Sequence, residues 1–210
     1  MSECGCHDVE ANTAADRRVL WIALVLNLAM AVVGGIAGWI GESTGLLADA
    51  LDMLSDSTAY AIALAAIGRA ARFKANAAML SGSVLLVLGL GVLAEAGRRA
   101  MVGSEPASGL MMAVATLSLI VNMSVLRLLR RFRTGDVHLR ASWIFTRADV
   151  VANVGVFVSA LLVAWTGSRY PDLIVGMLIG LYVVREAWEI LGEAQTARRA
   201  ASGRGPELGE

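Results

Sequence analysis

The chain has 210 residues, 57% of them hydrophobic, and its 18 Lys and Arg balance 18 Asp and Glu. A mean hydropathy of +0.64 is that of a multi-span membrane protein, and zero net charge gives no reason to expect a nucleic-acid partner. The apolar stretches leave no room for a separate soluble domain. Both cysteines, Cys4 and Cys6, lie in the N-terminal tail, so no disulfide is expected to staple the fold.

The segment before the first apolar run is polar and acidic, and Arg17 and Arg18 are its only Lys or Arg residues. It lacks the charge pattern of a cleavable signal, so the first run is expected to remain as a helix. A membrane span needs about 20 apolar residues at about 1.5 Å rise each. Six windows meet that length: 19–40, 46–68, 77–98, 107–130, 140–165 and 171–193. The breaks carry turn chemistry, among them Gly41-Glu42-Ser43, Gly103 to Pro106, Thr134-Gly135-Asp136 and Gly167 to Pro171. The expectation is an all-α membrane protein of six transmembrane helices. Its parts are a tail over 1–18, a transmembrane domain over 19–193 and a short tail over 194–210.

Orientation is read from Lys and Arg. Counting span ends with the tails and loops, thirteen lie toward one side, and Arg98, Arg99 and Arg169 alone lie toward the other. Both termini are therefore expected in the cytoplasm, where the tail cysteines stay reduced. Small residues punctuate the spans: Gly34, Gly35 and Gly38, then Gly89 and Gly91, then Gly176 and Gly180. Close helix packing is their expected role.

Asp49, Asp52 and Asp56 sit inside the second span, and Asp149 inside the fifth. A carboxylate at the bilayer centre costs roughly 2.5–3.5 kcal/mol on insertion scales, so such groups line a wet cavity, pair, or bind a cation. At about 100° per residue, the first three fall within a sector of about 100°, which Tyr60 extends. Ser142, Phe145, Thr146, Asp149 and Asn153 share a face of the fifth span by the same arithmetic. Asp56 and Asp149 stand about 19 Å and about 14 Å from the cytoplasmic ends of their helices. Asn27 and Asn122 come in at neighbouring depths. Hard oxygen ligands gathered in this way suit a divalent cation; the competing reading is a structural hydrogen-bond network. Arg147 lies about 160° around its helix from Asp149 and is expected to snorkel or to pair elsewhere. Glu95 reads as an interfacial residue.

The run Ser43 to Asp56, with Asp52 followed four residues later by Asp56, resembles the second helix of the cation diffusion facilitator family of divalent-metal exporters. Asn27 and the run Arg140 to Gly155 fit as well, so the resemblance covers all six spans. It implies a metal site at Asp52, Asp56 and Asp149, with Phe145 standing where a fourth ligand is usual. Phenylalanine cannot ligate, so Asp49, Asn153, Asn27 or water would complete the shell. Zn²⁺ is the favoured cargo, although a shell without imidazole also admits Cd, Co, Ni, Mn or Fe. Carboxylates crowded in a low-dielectric pocket repel one another and hold protons that an arriving dication displaces. Proton antiport across the cytoplasmic (inner) membrane is therefore expected, with no cofactor besides the transported ion; the family further implies a homodimer. Most relatives continue into a cytoplasmic domain after the sixth helix, and the expectation here is the smaller subgroup without it.

Cys4, Cys6 and His7, in the run Cys4-Gly5-Cys6-His7, offer soft and borderline ligands on the tail, which could feed metal to a vestibule near His138. Two rival functions stand beside metal export. A proton-coupled organic-cation exporter would want aromatic walls around a lone acid, but aromatics make up only 6% here. An intramembrane aspartyl protease, with Asp56 and Asp149 as its dyad, would show a Gly-x-Gly-Asp context that neither acid has.

Overall fold

The structure is a computed structural model that describes residues 14–65, 71–130 and 137–203, with the side chains of the fifth helix described from Asp149 onward. The tail ligands Cys4, Cys6 and His7 lie outside the described residues. Among the described residues six helices follow one another: α1 (Ala14–Ile40), α2 (Thr44–Ala65), α3 (Ala71–Val102), α4 (Ser108–Leu129), α5 (Val137–Thr166) and α6 (Tyr170–Gly203). No strand occurs among the described residues. The described part of each expected span coincides with one helix, so the all-α, six-helix reading holds.

Four helices contain stretches long and apolar enough to cross a membrane: Arg17–Ile40, Ala75–Val102, Ser108–Leu129 and Asp149–Thr166. At 22 and 34 residues, α2 and α6 match them in length. What sets these two apart is charge. Three aspartates interrupt α2, and Asp172, Arg185, Glu186 and Glu189 interrupt α6. Apolar side chains turn outward around the bundle, with Val87 70% and Val151 71% exposed. That inside-out pattern is the one lipid favours, since the bilayer satisfies apolar surface and leaves polar groups to the interior.

α2 occupies the centre, touching all five other helices, whereas α3, among the described residues, touches only α2 and α6. Missing side chains make the close approaches possible. A Cβ on Gly38 would stand 2.8 Å from Leu47 N, and one on Gly176 would stand 2.6 Å from the Thr44 carbonyl carbon. The packing role expected for the glycines is met at Gly34, Gly89 and Gly180 too, while Gly91 faces open space. The short link between α1 and α2 holds Glu42 at a left-handed φ of 49°. Its Oε2 accepts a hydrogen bond from Glu105 N at 3.0 Å, which ties this turn to the one between α3 and α4.

Two apolar clusters fill the bundle. One gathers Leu46, Met53, Met111, Val156 and Val183; the other gathers Val19, Leu20, Tyr60, Val125 and Leu129. Along α1, α2 and α4, the helices that join both clusters, buried polar residues lie between them: Asn27 on α1, Ser55 and Asp56 on α2, Ser118 and Asn122 on α4. A polar band thus crosses an otherwise apolar core.

Candidate metal centre

Spacing on α2 builds one wall of that band. Residues three and four apart share a helix face, and Asp49, Asp52 and Asp56 are 1%, 5% and 8% exposed. Asp149 comes from α5, which runs antiparallel to α2: a Cβ on Gly45 would lie 3.7 Å from Val156. Seven residues inward along each helix stand Asp52 and Asp149. The Asp149 carboxyl is within hydrogen-bonding reach of both Asp52 and Asp56. The three acids that the family resemblance singled out therefore meet.

Among the described residues, their environment is rich in acceptors and poor in donors. Asp56 Oδ2 and Asp149 Oδ2 have no hydrogen-bond partner. Ion pairs among the described residues join Glu95 to Arg98 and Arg99, and Glu189 to Arg185, and none reaches the central acids. Asn153 donates Nδ2–H to Asp149 O at 2.8 Å, and Asn27 donates to Ala23 O at 3.0 Å. Each amide is thus anchored to its own helix through nitrogen, and its oxygen is left without a partner. Both atoms of the Asn122 amide lack partners as well. Asp49 takes a different neighbour, accepting a hydrogen bond from Ser118 Oγ at 3.3 Å.

Among the described residues, no three His, Cys, Asp or Glu groups are drawn together as closely as ligands around a metal. The acids meet instead in pairs about Asp149. Side chains of Phe145, Arg147 and His138 lie outside the described ones, so the fourth-ligand position, the arginine and the vestibule histidine carry no structural account.

Two acids escaped the reading of the sequence. Glu186 of α6 is half-buried, within hydrogen-bonding reach of Ser55 and close enough to Asp52 and Asp56 to interact with both. The parallel run of α2 and α6, fixed where Gly176 meets Thr44, brings it to that level. Its sequence signal was weak: it follows Arg185 at the end of an apolar run and looks interfacial. Asp172 is fully buried and serves another helix. It accepts from Ser43 Oγ at 2.7 Å, Thr44 N at 2.7 Å and Gly45 N at 3.0 Å, capping the start of α2. Orphan N–H groups at a helix start are satisfied in this way, and their partial positive charge favours a carboxylate. Beside it, Arg99 approaches Thr44 Oγ1 at 3.5 Å and pairs with Glu95 at 2.8 Å. Glu95 thus sits near the helix end as expected, held by two arginines.

Comparison with known proteins extends the resemblance. The family described as the cation efflux transmembrane domain matches residues 20–196. The metal cation efflux system protein CzcD of Cupriavidus metallidurans is 30% identical over 188 residues, covering 84% of this chain and 60% of that protein. Zinc transporter ZitB of Escherichia coli is 29% identical over 206 residues, covering 92% of this chain and 65% of its own length. The cadmium, cobalt and zinc/H(+)-K(+) antiporter of Bacillus subtilis is 25% identical over 195 residues, covering 85% and 62%. The chain thus spans 60–65% of the length of these relatives. Since the match begins in the first apolar helix and runs into the sixth, the chain belongs to the cation efflux family and is a multi-pass membrane protein.

Proposed function

We propose that the protein exports divalent metal cations, Zn²⁺ foremost, across the cytoplasmic (inner) membrane in exchange for protons, with Asp52, Asp56 and Asp149 as the transport site. One observation carries this reading. Asp149 of α5 stands within hydrogen-bonding reach of both Asp52 and Asp56 of the antiparallel α2, all three buried, and the orphan oxygens of Asp56 and Asp149 have no basic partner among the described ion pairs. The relatives' names, which cite zinc, cadmium, cobalt and H(+), support it. The reading makes the protein a secondary transporter and not an enzyme. Both termini are cytoplasmic by the placement of Lys and Arg, the bundle over 19–193 does the transport, and two copies form a dimer.

Two carboxyls hydrogen-bond only through a proton that one of them carries. A dication binding between Asp149 and the α2 acids displaces such protons, because a metal ligates the ionised form. When the site opens to the other side, protons return and the metal leaves. Sites at the membrane midplane serve alternating access of this kind. Glu186, on a third helix, supplies a carboxylate at the same level that conducts cations or protons toward the site.

Substituting Asp52, Asp56 or Asp149 by Asn, one at a time, tests the proposal. Each variant should insert normally and lose at least about tenfold in Zn²⁺ flux in liposomes, since one lost ligand interaction of about 1.4 kcal/mol is already tenfold. Full flux in a variant would remove that residue from the site.

A further inference from the structure

We propose that Asn122 of α4 supplies the ligand that Phe145 cannot: an amide oxygen that completes the divalent-metal site and sets its preference among metals. The inference rests on Asp52, Asp56 and Asp149 forming that site. Asn122 is fully buried, and among the described residues neither atom of its amide has a hydrogen-bond partner. Leaving a buried amide unpaired is costly, and an asparagine that only joined helices would pair across them. Asn27 and Asn153 differ, since each donates to a carbonyl of its own helix. α2 and α4 both start at the end where Ala107 N bonds Gly41 O, so they run parallel. Ser118 of α4 meets Asp49 of α2 at 3.3 Å. One turn inward, Asn122 stands about 6 Å beyond Ser118 and Asp52 about 4.5 Å beyond Asp49, which puts them at one level. Asn122 lies only about 40° around α4 from Ser118, so it faces the same way, toward α2. Asp149 reaches that level from α5. Asn27 comes in from α1: Gly34 packs on Ala50, and seven residues inward from each stand Asn27 and Ser57, next to Asp56.

An amide suits this position on two counts. Its oxygen adds a ligand without adding a fourth charge to carboxylates that already repel one another. Its nitrogen is a donor of the kind that the orphan Oδ2 atoms of Asp56 and Asp149 lack. The donor type then names the substrate class. Imidazole and thiolate favour Zn²⁺, whereas shells of carboxylate, carbonyl and water oxygens suit Mn²⁺. With an amide oxygen at 122 the shell stays all-oxygen, so the site takes Mn²⁺ beside Zn²⁺, and the side chain at 122 sets the ratio between them.

The test uses the purified full chain in lipid nanodiscs at fixed pH, with Cys4→Ser and Cys6→Ser in every protein so that tail thiolates do not compete. Zn²⁺ and Mn²⁺ are titrated by calorimetry. Asn122→Ala should weaken both at least about tenfold, the scale of one lost ligand interaction. Asn122→Cys should raise the preference for Zn²⁺ over Mn²⁺ at least about tenfold. With Co²⁺ bound, it should also show a thiolate-to-metal charge-transfer absorption that altered helix packing cannot produce. Should Asn122→Ala fail to fold, the cysteine variant decides. Parental affinities for both ions in Asn122→Ala, or a parental metal preference with no such absorption in Asn122→Cys, would overturn the assignment. Asp149→Asn separates the two proposals. Loss of Zn²⁺ binding there beside full binding in Asn122→Ala removes Asn122 alone, whereas full binding in Asp149→Asn removes the acid site and this inference with it.

Discussion

The carboxylate of Asp172 in α6 accepts the Ser43 hydroxyl at 2.7 Å and, through Thr44 N and Gly45 N, caps the first turn of α2. An acid on the last helix therefore fixes the start of the helix that carries the central aspartates. The pairing makes Asp172 a structural carboxylate, distinct in role from the acids deeper in the bundle.

Asp172→Ala should lower stability by about 2–4 kcal/mol, because it orphans two N–H donors and a hydroxyl that a charged acceptor holds at about 1.5–3 kcal/mol apiece, partly offset by relaxation. Asp172→Asn should lie between the two, since one amide oxygen can still accept. Thermal unfolding in nanodiscs reads both. Equal stability of all three proteins would mean that the cap is dispensable.

Gly176→Ala should also destabilise, by about 1–3 kcal/mol, although alanine favours a helix over glycine by about 1 kcal/mol. The added methyl would stand 2.6 Å from the Thr44 carbonyl carbon and 2.8 Å from Gly45 N, both backbone atoms that cannot swing aside. Gly91→Ala is the control, because nothing lies within 4 Å of its Cβ. If the two variants melt together, the α2–α6 contact is looser than the structure shows.

Glu186→Gln should slow Zn²⁺ entry at low metal and leave the saturating rate within about twofold. The residue reaches Ser55 and interacts with Asp56 and Asp52, but the three central acids meet without it. Long-range attraction raises encounter rates more than it changes the bound state, so the effect should shrink as ionic strength rises. Complete loss of flux at saturating zinc would place Glu186 among the ligands themselves.

What the sequence made legible was whatever broke an apolar run. Asp49, Asp52, Asp56 and Asp149 stood out because a charge inside a span needs a reason, and helical periodicity aligned the first three without any tertiary information. Depth alone paired Asn27 with Asn122. Asp172 and Glu186 were missed for another reason: Asp172 opens its apolar window and Glu186 stands beside Arg185 and near Glu189, where charge reads as interfacial, and only the α2–α6 register gives them partners. Helix ends escaped on similar grounds. α3 continues to Val102 and α6 to Gly203, past the expected 98 and 193, because a helix leaving the membrane turns polar without unwinding. The separate environment of Asp49 was hidden too, since Ser118 on a non-adjacent helix defines it.

Proton release on metal binding tests the central claim most directly. Protons and metal compete for the same carboxyls, so apparent zinc affinity should fall as pH falls, and each binding event should liberate protons. Liposomes holding the wild-type protein and an internal pH dye are given external Zn²⁺, with a zinc indicator recording flux in parallel. The account predicts zinc entry matched by proton exit, an interior that turns alkaline, and loss of both signals in Asp149→Asn. Zinc entry at the full rate with no proton movement, or an unchanged pair of signals in Asp149→Asn, would contradict it.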